Sequence, residues 1–263
     1  MRNRARRLLS HVTGRCARRA QLMLCAGLTF APMTAYSETI ETARFTESTS
    51  RYTHGVLGDF EEWGALEITT TKPNTGLVNF PAVLKNTTYT IRLPISSVFE
   101  DVAPRLADVD GDGKPEVIVV ETNVDLGASL AIYTINGKLA ATPYIGQSHR
   151  WLAPVSIADL DDDGLIELAY VDRPHLAKTL RVWRFEGGEL TEVAALEGVS
   201  NHRIGERDIA GGLRDCGSGP EMIVARADWQ RLMAVTLDRA TLKAREIGPH
   251  KGRSSFADAL ACK

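Results

Sequence analysis

Residues 106–117 (LADVDGDGKPEV) align without a gap on residues 157–168 (IADLDDDGLIEL), a step of 51 residues. A period of that size is one supersecondary unit, which cannot bury its apolar face alone and must stack on its neighbours. Slid back by 49 residues, the template meets a worn copy at Leu57–Ile68 that keeps Asp59, Gly64 and Glu67. Slid forward, it reaches Gly211–Val224, where Pro220-Glu221 survives and Asp215 is nearly alone. These are four units, starting near residues 52, 99, 149 and 202.

Each acidic stretch is followed by a short apolar run: Val117–Val120, Leu168–Val171 and Met222–Ala225. Alternating segments come next, Leu130–Ile135 before Asn136-Gly137 and Leu180–Phe185 before Glu186-Gly187-Gly188, with a further strand at Leu190–Ala195. Period two closed by Gly-rich turns reads as antiparallel hairpins. No stretch shows a long helical period, so residues 38–263 are expected to form a single all-β domain. Units of three or four short strands suit a small β-propeller of about four blades; an open sandwich is the rival. Four units make a small ring or an incomplete one that closes by forming a homodimer. The segment Thr42–Thr46 is a candidate latch onto the last blade.

The loops themselves have a chemistry. In Asp-x-Asp-x-Asp-Gly-x-x-Glu the acids at positions one, three and five turn to one side of a bend that the glycine allows. The first loop offers Asp108, Asp110, Asp112, the carbonyl of Lys114, and Glu116; the second offers Asp159, Asp161, Asp163, the carbonyl of Leu165, and Glu167. Carboxylates held 4 Å apart repel by on the order of 4 kcal/mol per pair at an effective dielectric of 20. A divalent cation removes that penalty, and all-oxygen donors with flexible coordination favour Ca²⁺ over Mg²⁺. Two calcium sites are expected. A third near Asp59 is weak, because Trp63 replaces the acid at position five, and none is expected at Asp215. An EF-hand would need flanking helices and a Glu at position twelve, where Val119 and Tyr170 stand.

With these residues in view, the chain resembles the FG-GAP or VCBS repeat proteins, whose blades occur in integrin alpha subunits and in exported bacterial proteins. The matching pieces are Ala103–Val120 and Ala153–Val171, and with the worn copies the likeness covers residues 52–240. The resemblance implies that calcium stiffens the blade loop. It also implies adhesion, ligand binding or assembly as the work of a chain built from repeats alone. The chain has too few repeats for the seven blades of the integrin version.

Residues 1–37 hold seven arginines and no acid, and an apolar run from Leu22 to Ala35 ends at Ala35-Tyr36-Ser37. This reads as a signal peptide cleaved after Ser37, since about 14 residues interrupted by Pro32 fall short of the roughly 20 that span a bilayer. The mature chain then has no membrane span and is periplasmic or secreted. It carries 24 basic against 33 acidic residues, a net charge near −9, which argues against nucleic acid as a partner. Cys16 and Cys25 leave with the leader; Cys216 and Cys262 remain, as one disulfide or as two free buried thiols.

No nucleophile elbow, phosphate loop, zinc spacing or dinucleotide fingerprint is present. His149-Arg150 and His202-Arg203 stand at matching places upstream of consecutive loops, as an anion-binding patch or as strand caps. The expected function is therefore a non-enzymatic binding, adhesion or scaffold module with structural calcium. Its partner would be a protein or glycan, met through loops and aromatics such as Trp151 or Trp229. The alternative is a calcium-dependent lyase or hydrolase of acidic polysaccharide, with His149, Arg150, His202 and Arg203 as first suspects.

Overall fold

A computed structural model describes residues 38–74 and 83–263; the leader expected at 1–37 lies outside the described residues. β1 (Thr39–Thr49), β2 (Glu62–Asn74) and β3 (Val83–Arg92) form a meander with β2 in the middle. The first blade holds β4 (Ser97–Phe99) and β5 (Arg105–Ala107), two halves of one interrupted strand, then β6 (Glu116–Asn123), β7 (Gly127–Thr134) and β8 (Gly137–Ala141). The second is β9 (Leu152–Ala158), β10 (Ile166–Asp172), β11 (Thr179–Glu186) and β12 (Glu189–Glu197). The third repeats the broken entry with β13 (Val199–Ser200) and β14 (Gly212–Asp215), then β15 (Pro220–Arg226), β16 (Arg231–Asp238) and β17 (Thr241–Pro249). One helix, α1 (Arg253–Leu260), ends the chain.

Alternation along the buried strands explains how the blades stack. On β6 and β7, Ile118, Val120, Leu130 and Ile132 face one way and meet Leu168, Tyr170, Trp183 and Phe185 of the second blade. The residues between them on β10 and β11, Ala169, Val171, Leu180 and Val182, face the other way and meet Met222, Val224, Val235 and Leu237 of the third. Both faces of each middle strand are thus apolar, which is why these strands read as continuous hydrophobic runs.

An arc of blades that does not close has two end faces to cover. The outer face of the first blade, Val117, Val119, Ala131 and Tyr133, is covered by Ile40, Leu66 and Ile68 of the meander together with Phe99. The outer face of the third, Ile223, Ala225, Leu232 and Ala234, is covered by Phe256 and Ala259 of α1. The fold is all-β and propeller-like, an incomplete ring of three four-stranded blades capped at both ends within one chain.

Two expectations change. The first of the four units, near residue 52, is not a blade, because β2 joins the first blade's sheet through the pair Trp63–Phe99 and wraps its outer face. Thr42–Thr46 belongs to β1 and pairs with β2, with Arg44 opposite Glu67, so it does not latch the last blade. The one short helix leaves the expected all-β class standing. Its buried face is two residues wide, Phe256 and Ala259, too short to show a helical period in sequence. No helix among the described residues is long and apolar enough to cross a membrane.

Candidate metal centre

The acidic loops join the first strand of a blade, or its second half, to the next strand: 108–115 between β5 and β6, 159–165 between β9 and β10. In the first loop, Asp108 turns inward to accept hydrogen bonds from the N–H groups of Gly111 at 2.8 Å and Gly113 at 2.9 Å. Gly113 holds φ +85° with open space around it, a left-handed bend that any Cβ would strain. Glu116, buried at the start of β6, accepts the N–H of Val109 at 3.0 Å from across the loop. The result places one carboxylate oxygen each of Asp108, Asp110 and Glu116 within 4.8 Å of one another.

The second loop repeats this closely. Asp159 accepts from Asp162 at 2.7 Å and Gly164 at 2.9 Å, Glu167 accepts from Leu160 at 2.9 Å, and Asp159, Asp161 and Glu167 gather within 4.8 Å. Asp162 takes the left-handed turn that Gly111 takes in the first loop, a conformation aspartate tolerates. Both clusters are groups of hard oxygen donors able to hold a metal ion.

The acids at position five are placed differently. Asp112 pairs with Lys114 Nζ at 2.8 Å and Asp163 with Arg184 at 2.9 Å, and neither belongs to the three-carboxylate groups. Arg184, on β11 opposite Glu167, also reaches Glu167 at 2.6 Å and Asp161 at 3.0 Å. The second loop therefore contains its own cation. Sequence reasoning missed Arg184, one of two guanidinium groups in a strand that otherwise carries Leu180, Val182, Trp183 and Phe185.

Electrostatics follow from this. Burial pushes the Glu116 carboxyl up; the Val109 N–H opposes this, and Asp110, Asp112 and Asp108 push it further. Burial also raises Glu167, but there Arg184 works in the opposite direction alongside the Leu160 N–H. Only the first of the two clusters lacks a compensating arginine.

The third blade corrects the ungapped alignment. Register pairs Ala107 with Glu116, Ala158 with Glu167 and Arg214 with Glu221, so Asp215 occupies the place of Asp108 and Asp159 in a loop two residues shorter. It keeps the same local task, accepting from Gly217 at 2.7 Å and Gly219 at 3.1 Å. Glu221 is held by Arg214 at 2.7 Å and by Arg245. Burial raises its carboxyl, but the two arginines outweigh burial and leave it below the usual carboxylate range. Cys216 in this loop is disulfide-bonded to Cys262 after α1, 46 residues away.

The worn copy near Asp59 assembles no such cluster. Glu67 sits mid-strand against Arg44 at 2.8 Å, and Glu61 bonds Ser48 at 2.7 Å. Because Trp63 pairs with Phe99, which faces Glu121 near the far end of β6, this loop lies at the opposite end of the sheet from Asp108.

The remaining suspects separate. His149 and Arg150 line a cavity, His202 is fully buried, and Arg203 stacks over Trp229 at 4.3 Å. Trp151 is 2% exposed, a core residue rather than a surface contact.

No curated protein matches the chain significantly. The family model for the FG-GAP-like repeat matches residues 108–170, from the first acid of the first loop to the strand after the second. This chain is therefore FG-GAP repeat-containing, and the matched repeat takes in both acidic loops.

Proposed function

We propose that this chain is an exported binding or scaffold module, not an enzyme, in which calcium has a structural role. The observation that carries the calcium reading is the first loop, where buried Glu116 shares a 4.8 Å space with Asp108 and Asp110 and no arginine compensates them. Asp112 and the carbonyl of Lys114 would complete that shell, with Asp163 and the carbonyl of Leu165 in the same places in the second loop. Calcium there would cross-link β5 to β6 at the point where the sheet turns. Export is supported by the arginine-rich leader composition and by the disulfide between Cys216 and Cys262, a bond suited to an oxidising compartment. The open arc leaves blade-end loops from successive units side by side, the arrangement in which a protein or glycan ligand would be held.

The test is a calcium titration followed by thermal melting with and without chelator. Calcium at about one hundred times its dissociation constant contributes about 2.7 kcal/mol. For a domain of this size that raises the melting temperature by about 5 to 10 °C. A melt indifferent to both calcium and chelator refutes the structural role.

A further inference from the structure

At the end of the second blade opposite its acidic loop, a cavity of about 270 Å³ opens among parts of the chain that are far apart in sequence. His54 comes from the crossing between β1 and β2, and His149 and Arg150 from the link between the first two blades. His175 and Leu176 come from the turn after β10, and Ile204 from the excursion between β13 and β14. We infer that this cavity binds a small organic anion, a carboxylate carried on an apolar body.

Arg150 supplies the charge. Its guanidinium donates to the carbonyl of His149 at 2.8 Å and pairs with no carboxylate among the described residues. Arg173, the cavity's other arginine, is spoken for by Asp172, which it grips at 2.8 Å through two nitrogens. A planar guanidinium left without a carboxylate is matched in shape and charge by a carboxylate ligand.

His202 and His175 are held as directional groups, with burial favouring their neutral forms. His202 Nε2 lies 2.8 Å from the Glu206 carbonyl oxygen, so that nitrogen carries the hydrogen and Nδ1 accepts. His175 Nε2 therefore donates to His202 Nδ1 at 3.0 Å, which leaves His175 Nδ1 as an acceptor. Burial first, then the neighbouring histidines His202 and His54, push His175 down to about 4. His54 is held through Nδ1 by Glu100 at 2.6 Å, and the other oxygen of that fully buried carboxylate accepts from Thr122 at 2.7 Å. The ring's Nε2 is left for the cavity.

The mouth is apolar. Leu176 is 63% exposed and Ile204 71%, two large aliphatic side chains standing in water at one opening. A ligand with an apolar body would cover them. The backbone is also unusual here: His149 and Arg173 hold φ of 55° and 44°, the left-handed region that non-glycine residues rarely enter. His149 is kept there by its N–H on the Tyr52 hydroxyl at 2.8 Å and by stacking on the Tyr52 ring. Such strain collects where side chains must be aimed at a ligand.

The inference rests on the binding-module reading and names a site for it, and the cavity uses none of the acidic-loop residues. It is tested by titrating the protein with benzoate, benzamide, glucuronate and sulfate while following histidine ring resonances, once with calcium and once with chelator. Benzoate is expected to give saturable shifts at about millimolar concentration, as suits a ligand of few atoms. Benzamide, glucuronate and sulfate should bind about tenfold more weakly, because each lacks the charge or the apolar body. Arg150→Gln should weaken benzoate about tenfold, and Ile204→Ser, at the exposed rim, about threefold. Benzoate binding no better than benzamide, or equally to Arg150→Gln, overturns the proposal, as does a preference for glucuronate or sulfate or the absence of saturable shifts. Loss of the calcium-dependent melt with benzoate binding intact would sink the calcium reading and leave this one standing.

Discussion

The loops at 108–116 and 159–167 share their acids, their glycine bend and their main backbone caps, yet they solve one electrostatic problem in two ways. In the first, Asp108, Asp110 and Glu116 crowd together with Lys114 engaged on Asp112. In the second, Arg184 reaches in from β11 and touches Asp161, Asp163 and Glu167. The third blade takes this further, with Arg214 and Arg245 on Glu221, a shorter loop and a disulfide. A bend lined with carboxylates is eased by positive charge, and on the proposed calcium reading the source of that charge passes from an ion in the first loop to a side chain in the second without a change in the fold around it.

The largest way to break the comparison is Asp108→Ala in calcium. It removes two backbone hydrogen bonds, about 1 kcal/mol each, together with about 2 to 3 kcal/mol from bound calcium, for an expected loss of about 4 kcal/mol by thermal or denaturant melting. Asp159→Ala should cost about half as much, because Arg184 already compensates that loop. Equal losses would mean that the arginine makes no difference.

Glu221→Gln sharpens the contrast in the third blade. It strands Arg214, whose side chain is only 9% exposed, and should cost about 3 kcal/mol at pH 7 with no calcium dependence. Since the two arginines hold Glu221 below its ordinary value of 4.5, the pair's contribution is present above that pH. It is lost as pH falls through the lower folded value. The variant and the parent should therefore converge in acid, and a difference that persists at pH 2 would assign the loss to packing.

The smallest effect expected is from Arg184→Met. Freed of its internal cation, the second loop should gain about tenfold in calcium affinity, about 1.4 kcal/mol, by calorimetric titration. The metal-free protein should become less stable. Unchanged affinity would show that Arg184 and the ion do not compete.

Much of this was legible because local pattern carries local structure. The runs at Val117–Val120, Leu168–Val171 and Met222–Ala225 lie in β6, β10 and β15, and the turns at Asn136-Gly137 and Gly187-Gly188 close hairpins as their residue types demand. The acids at positions one, three and nine cluster because a short loop with a left-handed glycine leaves few other arrangements. The shorter third loop escaped an ungapped reading, since only strand register shows that Asp215 stands where Asp108 does.

By itself the sequence determined the all-β class, the repeat, and the positions at which carboxylates gather, all of which depend on contacts a few residues apart. Which cation each cluster meets was decided by tertiary structure, because Arg184 lies 17 residues beyond Glu167 and Arg245 lies 24 beyond Glu221. The capping of the arc by the meander and α1, and the gathering of His54, His149 and His175 at one opening, were decided there too. These pairings depend on how separate sheets are packed, and nothing in the spacing of residues along the chain records that.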